Sequence, residues 1–245
     1  MKLSFVFVTA ISSFFVSATT VFGFSSQADA LTFSGDSNAT WGEPTPGSID
    51  TNPLYTGVGS NTFTWGDPNV CPIPNTPSGC TITGSNKLTF NGNSFSTDIN
   101  SAFKIGDLTY FNGTVVEGTS VEFIPFNLNV SFSPAVGINQ VFDFNLRLVN
   151  TPNEGTDAEK NADLVFIDRN LSNRSFTFEG NKYTLELTGF NPDVRQLSIK
   201  GLEGATIRTA IYGKIKTIPE PATVAGVSLI GIYLMSRKKF LEKKY

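Results

Sequence analysis

Phe126-Asn127-Leu128-Asn129-Val130-Ser131-Phe132 and Phe142-Asp143-Phe144-Asn145-Leu146-Arg147-Leu148 are the stretches on which the fold turns. Each alternates apolar with polar side chains. Successive side chains of a β-strand point to opposite faces, so period two with one apolar face describes a strand half-buried in an antiparallel sheet. Each run carries two phenylalanines on its apolar face. Phe126, Phe132, Phe142 and Phe144 are therefore expected in the core.

Neighbouring segments extend the pattern. Phe176-Thr177-Phe178 and Tyr183–Leu187 flank Gly180-Asn181 and read as a hairpin. Leu197–Ile199 and Ala205–Ile215 supply further strands, and Thr62–Trp65, Lys87–Phe90 and Leu108–Phe111 are shorter ones. Pro125 precedes a strand or marks a bulge, because proline cannot donate to a central ladder. No window holds a convincing amphipathic helix, and Asp157–Ala162 reads as a turn. Short strands separated by turn signals predict an all-β domain, an antiparallel β-sandwich or jelly roll.

Composition agrees and removes several chemistries. The chain has 245 residues, 22 of them Phe and 22 Gly, with 13 Pro, a mix suited to pleated strands and tight turns. It has no histidine, which excludes a Ser-His-Asp triad, a His-activated cysteine and a His-containing zinc site. Two cysteines cannot build a four-cysteine zinc site or an iron–sulfur cluster. No phosphate-binding glycine loop occurs. Between Leu31 and Pro219 there are 12 basic and 18 acidic residues, net −6, which argues against a nucleic-acid partner. Paired carboxylates for glycoside hydrolysis are the enzymatic option left, but with 18 acidic residues some pair is inevitable. The expectation is a protein that is not an enzyme and that needs no cofactor.

Both ends read as addresses. Residues 1–30 run from Lys2 through an apolar stretch, Leu3 to Phe24, to Ala28-Asp29-Ala30. A positive start, an apolar middle and small residues at the A-x-A positions describe a secretory signal peptide cut after Ala30 by signal peptidase. At the other end, Pro219-Glu220-Pro221 precedes an apolar stretch, about residues 222–236, and a basic tail, 237–245, that opens with Arg237, Lys238 and Lys239. A basic cluster directly after an apolar run fits the cytoplasmic flank of a transmembrane helix.

That order of parts, over residues 218–245, resembles a PEP-CTERM sorting signal. The resemblance implies recognition by an exosortase in a diderm bacterium, a transient hold in the inner membrane with Arg237, Lys238 and Lys239 as the basic stop, and cleavage near Pro219-Glu220-Pro221. Proteins of this kind accompany exopolysaccharide production. The central residues 31–217 also resemble a family. Trp41-Gly42-Glu43-Pro44, Phe63–Pro68, Leu108-Thr109-Tyr110-Phe111-Asn112-Gly113, Asn150-Thr151-Pro152-Asn153, Ala162–Phe166 and Tyr183–Phe190 are similar to the choice-of-anchor K domain. This implies a surface-exposed module carried with alternative anchors, and implies no activity.

Three constellations stand out, and two of them admit both a structural and a functional reading. Cys71 and Cys80 are the only thiols of an exported chain and are expected to form a disulfide. Trp41 and Trp65 both precede Gly-acid-Pro in a weak internal echo. Either each ring closes a strand and packs inward, or the two stand exposed and stack on sugar faces, with Glu43 and Asp67 accepting from hydroxyls. Asp157, Glu159, Asn161 and Asp163 put oxygen ligands at alternate positions of a turn. That turn is either solvated or a calcium site. Together these describe an exported cell-surface or matrix β-domain with a structural or interaction role, the alternative being a lectin-like module for extracellular polysaccharide.

Overall fold

The computed structural model describes residues 31–70, 83–133, 139–153, 156–167, 171–191 and 196–219. Residues 1–30, Cys71, Cys80, Glu220, Pro221 and everything after them lie outside the described residues, so the expected signal peptide, disulfide and C-terminal helix fall there. Within them every regular element is a strand, and every strand-to-strand ladder is antiparallel.

The strands are β1 (Thr32–Trp41), β2 (Tyr55–Thr56), β3 (Thr62–Trp65), β4 (Asn86–Gly92), β5 (Ser94–Asp98), β6 (Phe103–Phe111) and β7 (Phe123–Ser133). They continue with β8 (Gln140–Val149), β9 (Asp163–Ile167), β10 (Leu171–Phe178), β11 (Asn181–Gly189), β12 (Ser198–Gly201) and β13 (Thr206–Ile218). One sheet has the order β12-β9-β8-β7-β1-β5 and the other β10-β11-β13-β6-β4-β3-β2. Each curls into a half-barrel, and the arrangement is consistent with a β-sandwich.

The alternating runs Phe126–Phe132 and Phe142–Leu148 lie in β7 and β8. They pair with Phe126 opposite Phe144 and Leu128 opposite Phe142. All four are buried. Phe132 is the exception: it is half-buried, not buried as expected. It sits at the end of β7 opposite Gly35, which has no side chain to cover it. Its ring still meets those of Phe33, Phe95 and Phe176 at 5.7, 6.0 and 4.7 Å.

Aromatic rings join the two sheets. Phe33 on β1 meets Phe176, Phe178 and Tyr183 of the opposite sheet edge-on, with centroids 5.6, 5.5 and 5.3 Å away. Phe90 meets Phe126 at 5.0 Å, and Phe95 meets Phe103 at 4.6 Å. Edge-to-face pairs put the positive ring edge on the negative face, adding about 0.5–1.5 kcal/mol to the burial of the rings.

Two irregularities follow from local chemistry. Pro125 lies inside β7, which is flanked by β1 and β8. Its carbonyl accepts from Gly42 N at 2.8 Å, just past the end of β1, so the missing N–H faces a place where no regular ladder continues. In β6 the inward positions change from Phe103 and Ile105 to Leu108 and Tyr110, because a bulge shifts the register between Ile211 and Tyr212 of β13. Ser37 of β1 reaches across to this bulge. Its hydroxyl donates to the Ile105 carbonyl and accepts from Asn93 N at 2.9 Å. The β10–β11 hairpin turns on Glu179 and Gly180, with φ of 48° and 77°, so the turn lies one residue earlier than Gly180-Asn181. Positive φ at both central residues matches the twist of the flanking strands, and glycine adopts it without steric cost.

Candidate functional site

The strands carry both tryptophans inward. Trp41 closes β1 and Trp65 closes β3, and their side chains are 1% and 2% exposed. Trp41 Nε1 donates to Asn61 O at 2.9 Å while its ring tilts against Phe126 at 5.2 Å. Trp65 stacks on Phe63 at 5.8 Å and on Tyr110 at 6.1 Å. The exposed sugar platform considered for Trp41, Trp65, Glu43 and Asp67 is therefore not formed. The internal echo is a folding device: a large ring ends the strand inside the core, and the following glycine turns the chain. Gly42 N donates to Pro125 O, and Gly66, at φ +83°, donates to Leu54 O, both at 2.8 Å.

The acidic partners of the echo are used locally. Glu43 accepts from the Tyr55 hydroxyl, and this bond, with burial and the negative charge, raises the Tyr55 pKa. Asp67 Oδ1 accepts from Asn69 N at 3.0 Å and from Asn69 Nδ2 at 2.7 Å.

The four candidate calcium ligands are dispersed. Asp157 accepts from Glu159 N at 3.1 Å and pairs with Lys160 at 3.5 Å. Glu159 pairs with Lys200 at 2.7 Å. Asn161 N donates to the Asp157 carbonyl at 3.2 Å. Asp163 belongs to β9, is 2% exposed, and accepts from Thr151 N and Thr151 Oγ1 at 2.7 and 3.0 Å. Alternation along a strand start, rather than a loop, sends Asp163 inward and away from the other three. Among the described residues no three His, Cys, Asp or Glu side chains gather as a metal ion requires.

Asp163 heads a buried polar group that the sequence reading missed. Gly201 of β12 lies opposite it, and Gly201 approaches the Tyr110 ring so closely that a Cβ there would stand 2.8 Å from Tyr110 Cε1. Asn112 Nδ2 donates to Gly201 O at 2.9 Å and to Glu203 Oε1 at 3.3 Å, and Thr114 Oγ1 donates to Glu203 Oε2 at 2.6 Å. Burial pushes the Asp163 carboxyl from 3.8 up to about 7; the two Thr151 bonds oppose the rise and the Glu203 charge adds to it. Burial first, then the charges of Asp163 and Glu203, pushes the Tyr110 phenol above its ordinary range. The signal was present in the sequence: Asp163 occupies the same alternation phase as Val165 and Ile167, an apolar phase.

The raised Asp163 pKa has a definite sign. Between the unfolded value near 3.8 and the folded value near 7, the folded chain keeps a proton that the unfolded chain has lost. This group's contribution to stability is therefore full below pH of about 4 and falls as pH rises toward about 7. The melting temperature of Asp163→Asn is expected to fall less steeply than the parent's across that window. Parallel profiles by scanning calorimetry would reject a neutral folded Asp163.

Beside this group, three segments at one end of the sandwich line a half-open cavity of about 590 Å³. Residues 47–50 follow β1, residues 114–122 connect β6 to β7, and residues 147–153 cover the end of β8 and the start of the next loop. Thr151 belongs to both places, holding Asp163 and lining the cavity.

No family model matches the chain, and no curated protein matches it either.

Proposed function

We propose that the chain is an exported, non-enzymatic β-sandwich module of the cell surface or extracellular matrix, sorted through Pro219-Glu220-Pro221 by an exosortase. The observation that carries this reading is where the strands start and stop. β1 opens at Thr32, two residues past Ala30, and β13 closes at Ile218, beside Pro219. The fold fills the interval between the two address-like ends. Its outer faces suit water: Asn38 stands opposite Asn129, and Thr40 opposite Asn127, on the face of the first sheet turned from the core.

Deletion of residues 3–24 tests the export step. The parent is expected outside the cytoplasm with Leu31 as its first residue, and the deletion variant entirely inside. Terminal sequencing of fractionated cells reads both. Export of the deletion variant at the parent's level would refute the signal-peptide assignment.

A further inference from the structure

We propose that the cavity at the end of the sandwich binds an organic cation on an apolar stem, of the kind a lysine or arginine side chain presents on a partner peptide. Its charge is one-sided. Asp50, Glu117 and Glu122 line it against one base, Arg147, a formal balance of −2. Arg147 is already engaged: its Nε and Nη2 both lie 3.2 Å from Glu122 Oε1. Asp50 and Glu117 have no cationic partner among the described residues, although Asp50 Oδ2 accepts from Gly47 N at 3.0 Å. Two carboxylates thus remain to meet an incoming positive charge, and the net −6 of residues 31–219 adds an attractive field at longer range.

The other walls explain why the ligand has an apolar part. Val115, Val121, Leu148 and Val149 face the same space. Ile49 stands at its edge 68% exposed, the most exposed large apolar side chain among the described residues. A lysine or arginine stem laid along these groups would remove apolar surface from water while its head stays at the carboxylates. Ser120 also lines the cavity; it is 4% exposed and its hydroxyl has no hydrogen-bond partner. A buried hydroxyl without a partner is costly, and a rotation of this side chain toward the cavity would let a donor or acceptor of the ligand relieve that cost.

A metal ion is the wrong occupant, because among the described residues no three His, Cys, Asp or Glu side chains gather to hold one. An anion is the wrong occupant on charge. The volume of about 590 Å³ exceeds one side chain and suits a side chain with its flanking peptide units. None of these features depends on where the domain resides, so the proposal and the export reading can fail separately.

The test titrates the purified protein with three capped tripeptides, Gly-Lys-Gly, Gly-norleucine-Gly and Gly-Glu-Gly, followed by amide chemical shifts. The lysine peptide is expected to move the amides of Glu117, Gly118 and Thr151, and to bind about tenfold more tightly than the norleucine peptide. The glutamate peptide should leave those amides unmoved. The double variant Asp50→Asn/Glu117→Gln should lose about tenfold in lysine-peptide affinity while keeping the parent's melting temperature, since both residues lie on surface loops. Equal binding of the norleucine or glutamate peptide overturns the proposal. So does lysine-peptide binding that the double variant retains, or no shift up to about 10 mM peptide, where even a weak site would be occupied.

Discussion

Phe33→Ala is expected to remove about 3–5 kcal/mol of stability, a large share of what a domain of this size possesses. The side chain is 0% exposed. It stands on β1 of one sheet and meets Phe176, Phe178 and Tyr183 of the other, as well as Phe132 of its own sheet. Truncation therefore opens a hole between sheets rather than at an edge, where neighbours could close over it. Lost transfer energy and the cavity left behind act in the same direction. Phe123→Ala is the control. That ring lies half-buried on the outer side of β7, 6.0 Å from the Arg147 guanidinium, and its loss should cost less than about 1 kcal/mol. Urea unfolding of the two variants against the parent decides. A Phe33→Ala cost no larger than that of Phe123→Ala would contradict a core organised around this ring.

The central importance of Phe33 could not be read from the pattern around it. The inward positions of β1 are Phe33, Gly35, Ser37, Ala39 and Trp41, three of them small, so the strand shows no apolar stripe. They are small because other parts come close. A Cβ on Gly35 would stand 2.0 Å from the Ser131 carbonyl, and Ser37 is used as a polar link to Ile105 and Asn93. β7 and β8 were legible because both follow strict alternation with large inward residues. β6 was legible only from Leu108 onward, since the bulge beside Ile105 breaks the period that defines a strand in sequence.

The candidate sites divided along the same line. Whether Trp41 and Trp65 faced water depended on which sheet face each strand end presented, and pairing across the sheets sets that face. The acidic turn looked like alternating ligands because Asp157, Glu159, Asn161 and Asp163 are evenly spaced. Even spacing implies convergence only if one backbone geometry runs through all four, and the chain passes from turn to strand at Asp163. The cavity could not be read at all. Its lining comes from three connections separated by tens of residues, each without local period, and only the sandwich topology brings them to one end.

Glu220→Ala is expected to abolish release of the mature protein and leave an uncut, membrane-held form. The proposed route requires the domain to cross first, with residues 222–236 then stopping in the inner membrane. Arg237, Lys238 and Lys239 would hold the cytoplasmic side, because carrying that cluster through hydrocarbon is costly. Pro219-Glu220-Pro221 would emerge at the outer interface. Its two prolines would resist regular helix and favour an extended strip, which a membrane enzyme could grip by its backbone. The fold permits a cut at this place. Ile218 is the last residue of β13 and pairs with Lys182 of β11, and Pro219 after it is exposed. A cut beyond Ile218 leaves every ladder of β13 intact, whereas a cut several residues earlier would remove part of its ladder with β11. The released parent should therefore have an intact mass running from Leu31 to near Pro219 and melt as the uncut domain does. Glu220→Ala should retain Tyr245 and stay with the membrane fraction, while Glu117→Gln, another single loss of a surface carboxylate, should be cut and released as the parent is. If the parent keeps Tyr245 on its mature surface form in an exosortase-bearing host, the C-terminal stretch is a permanent anchor and the sorting assignment is wrong.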